Sequence, residues 1–135
     1  MNSVSQVLIV DDDADDREII RDAFMSSSSH LEYIFLESGD ALLDYLKANT
    51  QSALPSLIML DLNMPGMDGR EALKEIKEND AFQHIPTVIF TTSSSPRDKQ
   101  MAYQLGANCF VTKPDTFNEL VDVTGAISKL WLLRV

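Results

Sequence analysis

Leu57-Ile-Met-Leu-Asp61-Leu-Asn63-Met-Pro65-Gly-Met-Asp68-Gly69 is the stretch that decides the fold of this 135-residue chain. Apolar residues run on without alternation, meet an acid at their end, and pass through a Pro-Gly turn to a second acid placed to start a helix. An unbroken apolar run of strand length is what a strand buried on both faces requires, as in a parallel sheet. The same pattern recurs outward in both directions. Val7 to Val10, Leu57 to Leu62, Thr87 to Thr91 and Cys109 to Thr112 are strong runs, and Leu31 to Leu36 is a weaker one.

Helical periodicity fills the intervals near 15–26, 39–50, 69–79, 96–105 and 116–132. Asp15 with Glu18, Asp68 with Glu71 and Thr116 with Glu119 have the spacing of capping boxes or acidic variants of them. Ser95 precedes Pro96 as a cap precedes a first-turn proline, and Gly106 closes the helix that Pro96 opens. Serine runs at 26–29 and 93–95 fall between periodic segments and read as loops. Strand then helix, five times over, predicts a doubly wound α/β domain with a parallel sheet.

Composition agrees with one globular domain over 1–135, with no room for an output domain: 44% of the residues are apolar and 24% charged. The net charge is -10, and residues 1–62 carry 12 acids against 3 bases whereas 63–135 carry 9 against 8. No segment is basic enough for nucleic acid or an anionic membrane. A single cysteine, Cys109, excludes an internal disulfide and a thiolate zinc site. With neither a signal peptide nor a membrane span in the sequence, a cytoplasmic location is expected.

In such sheets ligands bind outside the carboxyl ends of the strands. Asp11, Asp12 and Asp13 follow the first strand, Asp61 to Asn63 the third, Thr91 and Thr92 the fourth, and Lys113 and Pro114 the fifth. Asp11, Asp12 and Asp61 in one crevice would repel unless a cation neutralised them, and a small all-oxygen ligand set suits Mg2+. A carboxylate can attack a phosphoryl group, and metal, lysine and hydroxyl can stabilise the transferring charge. Asp13, Asp15 and Asp16 lie at a helix start, where capping and compensation of the helix dipole explain them. An EF-hand reading fails because the sixth position is Asp16 and the twelfth Asp22. His30 and His84 are isolated, and Cys109 reads as a small buried hydrophobe.

Four motifs in order, Val7-Leu-Ile-Val-Asp11-Asp12, Leu60-Asp61-Leu-Asn63-Met-Pro65-Gly-Met-Asp68-Gly69, Phe90-Thr91-Thr92 and Phe110-Val-Thr-Lys113-Pro114, resemble those of a response regulator receiver domain over essentially the whole chain. Within that family, Thr91-Thr92-Ser93, Asn108-Cys109-Phe110 and Leu130-Trp131-Leu132 are most similar to single-domain regulators of the cyanobacterial-phytochrome type. The resemblance implies a flavodoxin-like fold with strand order 2-1-3-4-5 and a stand-alone phosphorylation switch in a two-component phosphorelay. Asp61 would accept a phosphoryl group from a sensor histidine kinase, in this subgroup a photoreceptor kinase. Asp12, Asp61 and the backbone carbonyl of Asn63 would hold Mg2+, with Asp11 acting mainly through water. Thr91 and Lys113 would meet the phosphoryl oxygens, Phe110 would swing inward as an aromatic switch, and the Lys113-Pro114 bond would be cis. The switched surface would lie around helix 4, strand 5 and helix 5.

Two rival readings stand beside it. A metal-dependent phosphohydrolase of the same fold would need an acid two residues past its nucleophile, where Asn63 stands. A pseudo-receiver acting only by binding would not need Asp12, Asp61, Thr91 and Lys113 all intact. No enzyme activity beyond phosphorylation and dephosphorylation of the chain itself is therefore expected. Asp115, after Lys113-Pro114, departs from the apolar residue common in receivers and alters the face that many of them use for partners. Leu120, Val123, Ile127, Leu130 and Trp131 form an apolar stripe that the core can absorb; Leu132, Leu133 and Val135 extend it. That excess raises a homodimer through helix 4, strand 5 and helix 5, with Trp131 near its edge.

Overall fold

A computed structural model describes residues 5–27, 30–50 and 54–132. Its strands are β1 (Ser5–Val10), β2 (Leu31–Leu36), β3 (Leu57–Leu60), β4 (Thr87–Thr91) and β5 (Cys109–Thr112), and its helices α1 (Ala14–Met25), α2 (Gly39–Ala48), α3 (Gly69–Glu78), α4 (Pro96–Gln104) and α5 (Phe117–Trp131). All neighbours pair in parallel, in the order β2-β1-β3-β4-β5, as the resemblance implied. Within each strand, successive side chains enter opposite layers. Leu8, Val10, Ile58, Leu60 and Ile89 pack under α2 and α3 with Leu42, Leu46, Leu73 and Ile76. Val7, Ile9, Leu57, Met59, Val88 and Phe90 pack on the opposite face with Ile20, Phe24, Leu120 and Ile127 of α1 and α5. Two buried faces are why the central runs are apolar throughout.

Four helix starts carry a capping side chain where one was expected or close by. Asp68 accepts from the N–H groups of Arg70 and Glu71, Ser95 from Asp98 and Thr116 from Glu119. In α1 the cap is Asp13 rather than Asp15, because Asp13 holds the extended backbone a cap needs (φ -94°, ψ 115°) and receives the N–H groups of Asp15 and Asp16. Gly106, at φ 106°, ends α4. Its N–H donates to the Tyr103 carbonyl and that of Ala107 to Ala102, the paired bonds of a left-handed helix stop.

Two further expectations are corrected. No peptide bond among the described residues is cis, so Lys113-Pro114 is trans. A trans bond is intrinsically favoured before proline by roughly 0.5–1 kcal/mol, and here it carries the chain directly from β5 to the Thr116 cap. In α5 the core absorbs Leu120, Ile127 and Leu132, whereas Leu130 is 69% exposed. The stripe therefore turns away from Leu130 at the end of the helix. Leu133 and Val135 lie outside the described residues, as do Ser28 and Ser29 of the first serine run. Among the described residues no helix is long and apolar enough to cross a membrane.

Candidate functional site

The ends of β1, β3, β4 and β5 share one edge of the sheet because parallel strands finish together. The ladder itself carries two acids one step past their strands: Asp11 N–H donates to the Leu36 carbonyl and Asp61 N–H to Val10, both at 3.0 Å. Both carboxylates are buried, at 2% and 7% exposure, whereas Asp12 beside them is exposed. Carboxylate oxygens of Asp11, Asp12 and Asp61 nevertheless lie within 4.8 Å of one another.

Opposite them stands Lys113, whose Nζ donates to Asp11 Oδ2 at 2.7 Å and to Asp16 Oδ2 at 2.8 Å and lies 3.7 Å from Asp61 Oδ2. Its backbone N–H donates to the Thr91 carbonyl at 2.7 Å, so β4 fixes where the lysine leaves β5. Thr91 is fully buried, and its hydroxyl accepts the Ser93 N–H at 3.3 Å. Asn63 is exposed; its N–H reaches Asp61 Oδ1 only at 3.5 Å, the limit of a hydrogen bond. Phe110 is half-buried against the α2–α4 layer, with its N–H on the Tyr103 hydroxyl at 3.0 Å.

The electrostatics follow from this crowding. Burial raises both Asp11 and Asp61 above the usual carboxylate value, with Lys113 opposing the rise. Burial also disfavours the Lys113 charge, but hydrogen bonds to Asp11 and Asp16 outweigh it, and the lysine ends above its ordinary value. A carboxylate raised by folding favours the folded state while protonated and loses that advantage as pH climbs past its unfolded value, 3.8 for Asp11 and Asp61. One lysine against three converging acids leaves negative charge over. Oxygen donors alone, two of them buried, fit a hard divalent cation.

Three residues escaped the sequence. Asp16 serves Lys113 as well as the first turn of α1, which only the position of the β5 end makes apparent. Arg17 donates to the Asp11 carbonyl at 2.7 Å and stacks over Phe35, pinning the β1–α1 turn. Gly69 passes so close to the Asp61 carbonyl that a Cβ there would collide with its oxygen. Beside Lys113 a cleft of about 260 Å³ opens between α1 and the start of α5, with the exposed Ile19 and Phe117 among its walls.

Comparison with known proteins places this geometry. Residues 7–124 match the family described as the response regulator receiver domain. Response regulator Rcp1 of Synechocystis sp. is 35% identical over 137 residues, covering 99% of this chain and 93% of that protein. The probable methanogenesis regulatory protein FilR2 of Methanothrix harundinacea is 34% identical, with 93% and 83% covered. Among solved structures, the phosphorylated cyanobacterial phytochrome response regulator RcpA superposes with a TM-score of 0.87 at 32% identity, over 96% of this chain and 95% of that one. The Mn2+-bound form of Rcp1 superposes with a TM-score of 0.85 at 35% identity, over 97% and 96%.

Proposed function

The chain belongs to the response regulator receiver domain family, and from that premise we propose how its acidic rim works. Membership makes it a two-component signalling protein whose partner is a histidine kinase. Asp61 takes the phosphoryl group: a carboxylate oxygen forms the new bond to phosphorus as the bond to the kinase imidazole breaks. The observation that carries this reading is the convergence of Asp11, Asp12, Asp61 and the Lys113 ammonium on one rim.

Mg2+ would be held at that rim by the carboxylates of Asp12 and Asp61 and the carbonyl of Asn63, with Asp11 acting through water. When bound, it offsets the charge of the transferring group. Lys113 pairs with one phosphoryl oxygen, and Thr91 turns its hydroxyl to another. Phosphorylation adds about -1.5 to -2 charges, and Phe110 moves inward as Thr91 moves, altering the face of α4, β5 and α5. Incubation with Mg2+ and a small phosphodonor should add one phosphoryl group by intact mass, stable in acid and labile in base; an unchanged mass would overturn the reading. Continued hydrolysis of an external phosphate ester would favour a phosphohydrolase instead, which Asn63 argues against.

Mg2+ should also raise the melting temperature. Ligand at a hundred times its dissociation constant contributes about 2.7 kcal/mol, which for a domain of this size is roughly 10 °C. Asp12→Ala should lose most of that shift, as scanning calorimetry at pH 7 would register. The rise should shrink as pH falls toward 4, because Asp11 and Asp61, both raised by burial, take up protons and lose their hold on the ion.

Similarity to RcpA, a phytochrome response regulator, supports a photoreceptor histidine kinase as the donor, and a cytoplasmic location is proposed with it. A phytochrome-class kinase should then load Asp61 faster than an unrelated sensor kinase does. The homodimer is proposed through α4, β5 and α5, where Tyr103 and Leu130 are 44% and 69% exposed. Light scattering should show the mass rising with concentration, more so with a phosphoryl analogue; a constant monomer mass in both states excludes it.

A further inference from the structure

From Thr91 the chain leaves β4 through Thr92, Ser93 and Ser94 to Ser95, the cap of α4. Ser93 is the knot of this loop. Its N–H donates to Thr91 Oγ1 at 3.3 Å, its carbonyl accepts the Thr112 hydroxyl at 2.8 Å, and its own hydroxyl accepts the Ser95 N–H at 3.2 Å. That hydroxyl also donates to Asp98 Oδ2 at 2.7 Å, the shortest bond in the set. The other Asp98 oxygen accepts Arg70 Nη2 at 3.2 Å, and Arg70 Nη1 reaches Asp68, the cap of α3, at 3.4 Å. A continuous polar path therefore joins the helix that follows Asp61 to the hydroxyl of Thr91.

We propose that Arg70 and Asp98 are positioning residues that latch the β4–α4 loop through Ser93, holding the Thr91 hydroxyl in its resting engagement until Asp61 is phosphorylated. The latch deepens the reading of Thr91 as the hydroxyl that meets the phosphoryl group, and it rests on that reading. The Thr91 hydroxyl already faces the Asp61 carboxylate; drawing it fully onto a phosphoryl oxygen stretches the bond it accepts from the Ser93 N–H, whose loop Asp98 holds. Contacts made in only one of two states bias the equilibrium by their free energy, so removing them favours the other state. The Ser93 hydroxyl and then Arg70 hold the Asp98 carboxyl below its usual value, as expected for an acceptor used on both oxygens. Asp98 and Arg70 are half-buried at the rim, so replacing them opens no core cavity.

The parent, Asp98→Ala and Arg70→Gln are compared with Mg2+ and a small phosphodonor, following adduct formation by intact mass and amide exchange across 92–98. Asp98→Ala should load Asp61 roughly three- to tenfold faster than the parent, and its loop should exchange faster before any phosphodonor is added. Arg70→Gln leaves the Ser93–Asp98 bond in place and should act in the same direction but less. The double variant should be no faster than Asp98→Ala, because both act along one path. Asp98→Asn, which retains an acceptor for Ser93, should recover most of the parent rate. A purely structural brace would lower the melting temperature of these variants without accelerating loading. Loading rates within about twofold of the parent, or slower, overturn the latch. A parent that takes up no phosphoryl group overturns the Asp61 reading itself.

Discussion

Asp61→Asn is expected to take up no phosphoryl group from Mg2+ and a small phosphodonor under conditions that load the parent fully. An amide of nearly the same shape keeps the buried volume, so the fold should survive, but it offers no anionic oxygen to attack phosphorus. The same change should raise the melting temperature in the absence of metal. Burial disfavours the Asp61 charge by more than the attraction of Lys113 favours it, and Asp11 beside it adds repulsion. The neutral amide removes both penalties. Loss of the adduct together with a gain in metal-free stability would be hard to explain by misfolding. A retained base-labile adduct on Asp61→Asn would show that another group is the acceptor.

Gly69→Ala should be strongly damaging for a single added methyl group. Gly69 donates its N–H to the Leu62 carbonyl at 2.9 Å. An added Cβ would collide with the Asp61 carbonyl oxygen and meet the Leu62 Cα at 2.8 Å. These are backbone atoms, which no rotamer change can clear. The β3–α3 turn would have to open, at a cost of about 2–4 kcal/mol and a melting temperature lower by roughly 10 °C. Because that turn also aims Asp61, adduct formation should slow beyond what the lost stability explains. Calorimetry and loading rates at a temperature where both proteins are folded separate the two effects. A melting temperature within a few degrees of the parent would mean that the turn is softer than its contacts imply.

Much of this was legible because it depends on local chemistry. The runs at 31–36, 87–91 and 109–112 are the observed strands to the residue, although only 87–91 is buried throughout and 109–112 is an edge strand whose last residue, Thr112, is exposed. Asp68, Ser95 and Thr116 were readable as caps because a short oxygen-bearing side chain before a periodic segment has few other uses. Asp13 displaced Asp15 because five acids in six residues offer several caps of equal chemistry, and only backbone angles choose among them. Leu130 was assigned to the core on helical spacing that Leu132 satisfies better at the end of α5.

The acid cluster at 11–16, which accounts for much of the lopsided charge, divides among different tasks. Asp11 and Asp12 turn toward Asp61, Asp13 caps α1, and Asp16 crosses to Lys113. Unbroken apolar runs, capping and strand-end placement act over a few residues, so the chain alone determined a doubly wound sheet and the rim on which its acids and lysine would meet. Contacts between Lys113 and Asp16, Arg70 and Asp98, or Gly69 and the Asp61 carbonyl join elements whose relative position depends on how both layers pack. Side-chain reach and backbone clearance are properties of distance in space, and only the tertiary structure decided them.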